Sequence, residues 1–455
     1  VDLCKFRKYL GPGVLTAGFA AILAVNWPGQ MSYDSVVQLA DGRSGHYDSW
    51  HPVVMAWLLG LFDALIAGPG LFLAFTMLLL GGAWLILLRI GRPGFGAAVL
   101  LVAICLTPQL VLYQATIWKD VLFADAGIAA FAALAAAATW WANMRARFVW
   151  LGVSAALFSL AALARQNGAL LVPIAALSLG LIAGRKLSRG AGWRYGIGLL
   201  AASLVLSLGA NFALSFRSDG GAGAASQLRL AQTYDLIGVA KRDPALHFPV
   251  LEERAPGLDA AIRRYGVPLY SPRLVDTLEP VIPLQTEISR APPGAIFAAW
   301  RDLVLHHPVL YLKMRRPVFR WVVAPPNLLQ CHPDVVGVDG PKDALRTLGL
   351  HQQIRSQDRF LYFYVARFIG TPILSHLLFA ALAFGAFFLL MRRGQGSDIA
   401  IAGLMVAALA FAASFYVISI ACDYRYLYFL DLAAMTGLIK LAAGNEKDSS
   451  PAKPS

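Results

Sequence analysis

Charge is what this chain has least of. Asp, Glu, Lys and Arg make up 14% of its 455 residues, while 58% are hydrophobic. A soluble domain of this length needs a much larger charged fraction, so one large soluble core is excluded. With a mean hydropathy of +0.60, the chain reads as a polytopic integral membrane protein. Cysteine is scarce as well. Cys4, Cys105, Cys331 and Cys422 are scattered without CxxC spacing, which gives no metal cluster or redox pair. Cys105 reads as a small buried hydrophobe, and a disulfide between Cys331 and Cys422 in an oxidising compartment stays an open option. Acidic residues number 26 against 39 basic ones, for a net charge of +13. The basic residues nevertheless fall in small clusters between apolar runs, with no aromatic-interleaved basic domain, so no nucleic-acid partner is expected. Their excess suits cytoplasmic loops facing anionic lipid head groups. No internal repeat is visible, which counts against a secondary transporter.

What is present is a series of apolar runs with short polar links. Residues 10–27 form the first span and are not a cleaved signal, because they continue into an organised polar insert with no small-residue cleavage site. Further spans are expected at 71–88, 95–111, 121–141, 148–163, 169–183, 193–214, 368–391, 399–420 and 426–439, about ten in all. Basic clusters at 1–8, 89–92, 145–147, 185–194, 392–393 and the C-terminal tail then mark the cytoplasmic side. Parity leaves 53–67, interrupted by Asp63, as an interfacial or re-entrant helix; a full crossing there would invert every later loop. The expected class is an all-α polytopic membrane bundle with outer-face loops and interfacial helices. It divides into a transmembrane module, 1–215, whose first outer loop is 27–52; an outer-face loop region, 216–367; C-terminal spans, 368–442; and a polar, disordered cytoplasmic tail, 443–455. Within the loop region, 228–239 and 252–265 read as helices. Residues 299–323 alternate aromatics with Lys313, Arg315, Arg316 and Arg320, a pattern for helices lying in the membrane interface and divided by Pro308 and Pro317. Lys313, Arg316 and Arg320 are the expected contacts to membrane lipids.

The chemistry is expected where polar residues crowd against spans on the outer face. The insert 27–52 carries Asp34, Asp41, His46, Asp48 and His51. Other links supply Lys119, Asp120, Arg165, Gln166, Asn167, Asp423 and Arg425. Ionisable groups hard against apolar spans are costly to bury and tend to be functional or paired. Taken singly, each has a plainer reading: Arg165 can pair with Asp120 for stability, Asp41 can cap a turn before Gly42, and Asp34 can be the N-cap of a short helix. Span interiors are nearly free of ionisable residues, Asp63, Asp125 and Asp431 excepted. That favours chemistry at one face over passage across the membrane.

Four segments carry a family resemblance. Residues 32–54 (SYDSVVQLADG…YDSWHPVV), 113–123 (YQATIWKDVLF), 165–173 (RQNGALLVP) and 423–433 (DYRYLYFLDLA) resemble, in order, motifs of the GT-C class of membrane glycosyltransferases. That class contains protein O-mannosyltransferases, the aminoarabinose transferase of lipid A and many bacterial relatives. The likeness covers most of 1–215 and thins beyond it. Where many relatives have Lys-Pro-Pro or His-Pro-Pro, this chain has His51-Pro52-Val53. The resemblance implies a multi-pass protein of the bacterial cytoplasmic membrane with its active site on the outer face. The implied reaction transfers a sugar, with inversion, from a polyprenyl-phosphate donor to a glycan, lipid or protein acceptor. Asp34 stands at the position of the catalytic acid and Asp120 at a second acidic position. Arg165, Arg425, His51 and Lys119 are the implied partners of the donor phosphate. Metal use varies in the class; a divalent ion, if used, would fall to Asp120 and Asp34. The readings that compete with this are a transporter or flippase for a lipid-linked or anionic substrate, and a non-catalytic assembly protein.

Overall fold

Alanine sets the centre of the molecule. The helix Lys119–Thr139 is Ala-rich, and its entire apolar window is buried. Small side chains let neighbouring helices approach closely where no hydrophobic effect drives association. It packs against Met144–Ala164, Gly70–Ile90, Gly396–Ile418 and Tyr428–Ala442. The structure is a computed structural model describing residues 3–332 and 334–445. The side chains of the basic tip (Lys5, Arg7, Lys8) and the tail from 446 onward lie outside the described residues. The protein is an all-α polytopic membrane bundle; the described residues form isolated β-bridges but no named strand.

Among the described residues, eight helices are long and apolar enough to cross a membrane, or nine if the pair Phe95–Cys105 and Pro108–Ala115, bent by 63°, is one span. Two of the ten expected spans fall short of that length as single helices, each for a local reason. Pro108 opens a new helix, and a proline disfavours helical conformation in the residue before it. The last helix, Tyr428–Ala442, has only 15 residues, because Tyr424–Leu427 is a 3₁₀ turn. The helix Val53–Asp63 has 11 residues, too few to cross. Its Asp63 is tied to Arg43 at 2.7 Å.

The basic clusters gather at one end of the bundle. There the Arg92 N–H donates to the Ala443 carbonyl at 2.6 Å. Arg185 reaches the Gly394 carbonyl at 3.1 Å and Arg393 the Leu441 carbonyl at 2.9 Å. Ala443, where the expected tail begins, is fully buried.

The long polar region closes over a hydrophobic core of its own. Tyr234, Ile237, Leu258, Leu284, Leu303, Met314 and Val318 close a second hydrophobic core, separate from that of the bundle. The expected 228–239 helix runs over Ala222–Arg242. The expected 252–265 helix is broken at Pro256 into shorter pieces. Pro308 starts the helix Pro308–Val323 at its first turn, where its missing N–H costs nothing, whereas Pro317 sits inside that helix without ending it. Lys313, Arg316 and Arg320 are exposed along it, and Arg315 is buried.

Candidate active site

The polar insert begins with a turn that ties three links together. Gln30 N–H donates to the Ala115 carbonyl at 2.9 Å, and Ile117 N–H returns the bond to Gln30 at 2.9 Å. Met31 pairs in the same way with Gly337 and Asp339. Residues 32–34 are thereby held beside 118–120. The helix Tyr33–Ser44 starts here with Ser32 as its N-cap residue, and Asp34 lies in the first turn. The N-cap reading of Asp34 is therefore corrected. Trp118 Nε1 donates to Ser32 Oγ at 2.8 Å, and Ser35 Oγ donates to the Ile117 carbonyl at 2.7 Å. Asp41 and Gly42 lie inside the helix rather than in a turn, which comes at Gly45 (φ 71°). Glycine is needed at 42 for approach: a Cβ there would lie 2.3 Å from the Ala56 carbonyl of the neighbouring helix. Asp48 caps Trp50 N–H at 2.8 Å, and its loop docks on the start of Ala222–Arg242.

Asp34 meets Arg425 from the far end of the chain, Nη1 to Oδ2, at 2.9 Å. Arg425 also pairs through Nε with Asp423 at 2.7 Å, and its guanidinium lies 5.0 Å from the centre of the Trp118 ring. Asp120 stands 3.9 Å from Arg425 Nε and is ion-paired with Arg165. The Arg165 guanidinium is enclosed by the rings of Phe411, Phe415 and Tyr426. The two arginines thus differ. Arg165 is committed to Asp120, as the stability reading of that pair requires, whereas Arg425 stays 17% exposed beside an Asp34 that is 26% exposed. A solute can reach the second pair.

Electrostatics sharpen these roles. Burial pushes the Asp34 pKa up, but Arg425, His51 and Lys119 together outweigh it and hold the carboxyl below its ordinary value. Burial and then Lys119 pull His51 down to about 4, so its ring is neutral at pH 7 and offers hydrogen bonds rather than charge. Its Nδ1 is buried without a partner. Burial raises Asp423 despite Arg425. The Lys119 ammonium has no hydrogen-bond or ion-pair partner among the described residues. Gln166 is outside this ion-pair set, and Asn167 donates to Ser414 at 3.2 Å.

The disulfide that the sequence leaves as an option is formed, and several further contributors are not apparent from sequence. A disulfide joins Cys331 to Cys422, next to Asp423. It brings His332 (φ 44°) within electrostatic reach of Asp423 and Asp334. Beneath Arg425, Tyr424 donates to Asp431 at 2.7 Å, and His376 Nδ1 lies 2.9 Å from the same carboxylate. Gln109 donates to the Tyr424 hydroxyl at 2.7 Å. Tyr428 donates to Gln114 at 2.8 Å, and Gln114 to Asp125 at 2.6 Å. This network pins the residues on both sides of Arg425. The donor set does not fit a divalent ion as arranged: each candidate carboxylate holds an arginine, and no group of three or more His, Cys, Asp or Glu among the described residues is placed to hold a metal.

No protein-family model matches the chain, and no curated protein does. Among solved structures it is similar to an archaeal oligosaccharyltransferase, AglB from Archaeoglobus fulgidus, in complex with an inhibitory peptide and a dolichol-phosphate. The identity is 13% and the TM-score 0.41, and the match covers 95% of this chain. The chain spans about half of that protein's length, 50%.

Proposed function

We propose that this chain is a GT-C-type glycosyltransferase that moves a sugar from a polyprenyl-phosphate carrier to an acceptor at the outer face of a bacterial cytoplasmic membrane. One observation carries the reading: Asp34, His51, Lys119, Asp120, Arg165, Asp423 and Arg425, from four separate segments, converge on one cluster at one end of the bundle. In this reading the Asp34 carboxylate takes the proton from the acceptor hydroxyl or amine. The acceptor atom attacks the anomeric carbon from the face opposite the phosphate, and the sugar–phosphate bond breaks with inversion. Lys119 and Arg425 meet the charge that develops on the leaving phosphate. Arg165 holds Asp120, and Asp120 in turn faces Arg425. Because the phosphate competes with Asp34 for Arg425, donor binding frees the base.

The buried polar groups within the spans argue against transport. Asp398 is paired with Lys440 at 2.8 Å, His376 with Asp431 and Asp125 with Gln114. Each serves a neighbour instead of lining a path. Purified protein given a polyprenyl-phosphate sugar should release polyprenyl phosphate only when an acceptor is present. Binding without turnover across a panel of glycan, lipid and peptide acceptors would overturn the enzyme reading.

Placing the site on the outer face rests on the basic clusters at the opposite end, whose excess belongs to the cytoplasm, and on the disulfide beside the site, which suits an oxidising compartment. Single cysteines at 34 and at the exposed position 46, in a background lacking the native cysteines, should react with an impermeant reagent added to intact cells, and those at 145 and 392 should be protected. The reverse pattern would place the site inside.

A further inference from the structure

The other end of the bundle carries a feature that transfer chemistry does not use. Between Asp125 and Asp219 the chain has no acidic residue at all, yet it carries Arg145, Arg147, Arg185, Lys186, Arg189 and Arg194. These lie at the ends of three consecutive helices, Met144–Ala164, Leu171–Lys186 and Arg189–Ser215, that meet at the basic end. Like charges held together repel one another, and among the described residues none of these six forms an ion pair with a carboxylate, so an anion from outside the protein would be favoured there.

Between the same helices runs an apolar groove of about 460 Å³. Ala155, Leu179 and Leu199 form its buried floor, with Phe148 and Tyr195 beside it. The space over Gly152 and Gly198 is open: a Cβ added at either would meet nothing within 4 Å. It extends from Arg194 to Ala202, about 12 Å at the helical rise of 1.5 Å per residue. The neighbouring Val149, Trp193 and Ile197 are exposed, as befits side chains facing lipid.

The mouth of the groove is a built cationic site. The Arg147 guanidinium sits 5.0 Å from the Trp141 ring, 5.2 Å from Phe148 and 5.6 Å from Tyr195. It donates through Nη1 to the Trp141 carbonyl at 3.3 Å, while its Nε is buried without a partner. Arg194, at the same mouth, is exposed and has no hydrogen-bond or ion-pair partner among the described residues. An apolar trough with two guanidiniums at its head, neither ion-paired among the described residues, matches the shape and charge of an anionic diacyl lipid. We propose that this groove binds one anionic phospholipid of the cytoplasmic leaflet, its acyl chain lying over Gly152 and Gly198 and its phosphate held between Arg147 and Arg194. A zwitterionic lipid would bring its own cation against these arginines.

Native mass spectrometry of the full-length protein, released from nanodiscs containing equal phosphatidylglycerol and phosphatidylcholine, tests this directly. The wild type should retain one phosphatidylglycerol. The double substitution Arg147→Gln with Arg194→Gln should lower that preference about tenfold or more, since each basic group at a lipid surface contributes separately. Gly152→Leu with Gly198→Leu should abolish retention by filling the trough, and the arginine variant tests the same site without altering its shape. Thermal midpoints of both variants establish that they are folded. Equal retention of the two lipids by the wild type, or unchanged phosphatidylglycerol retention in both folded variants, would overturn the proposal.

Discussion

Asp34→Asn should give a folded protein whose turnover of a polyprenyl-phosphate sugar is lower by roughly 10²–10⁴, the usual contribution of a positioned general base. Asn has nearly the same shape but cannot take up a proton as a carboxylate does. Stability should change little. Asp34 is not the N-cap, so the substitution removes a first-turn charge, worth about 0.3–1 kcal/mol. Arg425 keeps Asp423 as a partner. Asp48→Asn should keep most of its activity, because Asp48 caps a loop and Asn caps comparably. Turnover is measured on detergent-purified variants with the thermal midpoint recorded alongside. Near-normal turnover in Asp34→Asn would move the search for the base to Asp120.

The pH profile carries the same argument. In the free protein, despite burial, Arg425, His51 and Lys119 hold the Asp34 carboxyl below its ordinary value, so it is a carboxylate at neutral pH. Any stability this depressed pKa confers is present above the unfolded-state value and lost as pH falls through the folded one. For kcat/KM, which reports the free enzyme, no acid limb from Asp34 should appear above about pH 4. If the donor phosphate draws Arg425 away, Asp34 loses its main counter-charge in the complex. The acid limb of kcat should then lie at higher pH than that of kcat/KM.

The membrane class and the cluster of polar links were legible because each link is a few residues long and abuts an apolar run. The run fixes where the link lies in depth, and the alternating basic clusters group the links at the end opposite to their own. That suffices to group Asp34, Asp120, Arg165 and Arg425. It offers Arg165 as a partner of Asp120 but does not tell that Asp34 meets Arg425, a pair that spans 391 residues of sequence. The network beneath the site was illegible for the same reason: His376, Tyr424, Gln109 and Gln114 look like unrelated single polar residues until the bundle stacks them. Arg315 is a different case, because a signal was available. Tyr311, Met314, Val318 and Val322 recur at helical spacing and are buried, and Arg315 falls within that stripe while Lys313, Arg316 and Arg320 fall outside it. Composition alone groups all four basic residues together, whereas periodicity separates them.

That buried arginine underlies the largest expected loss of stability. Arg315 pairs with Asp235 at 2.7 Å, and both side chains are almost wholly buried, 2% and 1% exposed. Trp300 Nε1 donates to the same carboxylate at 2.8 Å. Arg315 Nη1 donates to the Ser419 carbonyl at the end of the helix Gly396–Ile418, and so ties the outer core to the link that carries Asp423 and Arg425. Removing one partner strands a buried charge, so Asp235→Ala and Arg315→Ala should each cost about 3–5 kcal/mol. Replacing both by apolar residues of similar volume, Asp235→Leu with Arg315→Met, should recover most of that loss, because a well-packed apolar pair removes the charges that need each other. Denaturant unfolding of the two single variants and the double variant measures the coupling. If the double variant is as unstable as the sum of the singles, the pair does not act as a unit. If it is restored in stability but impaired in turnover, the Arg315–Ser419 bond positions Arg425 for the donor as well as holding the outer core to the bundle.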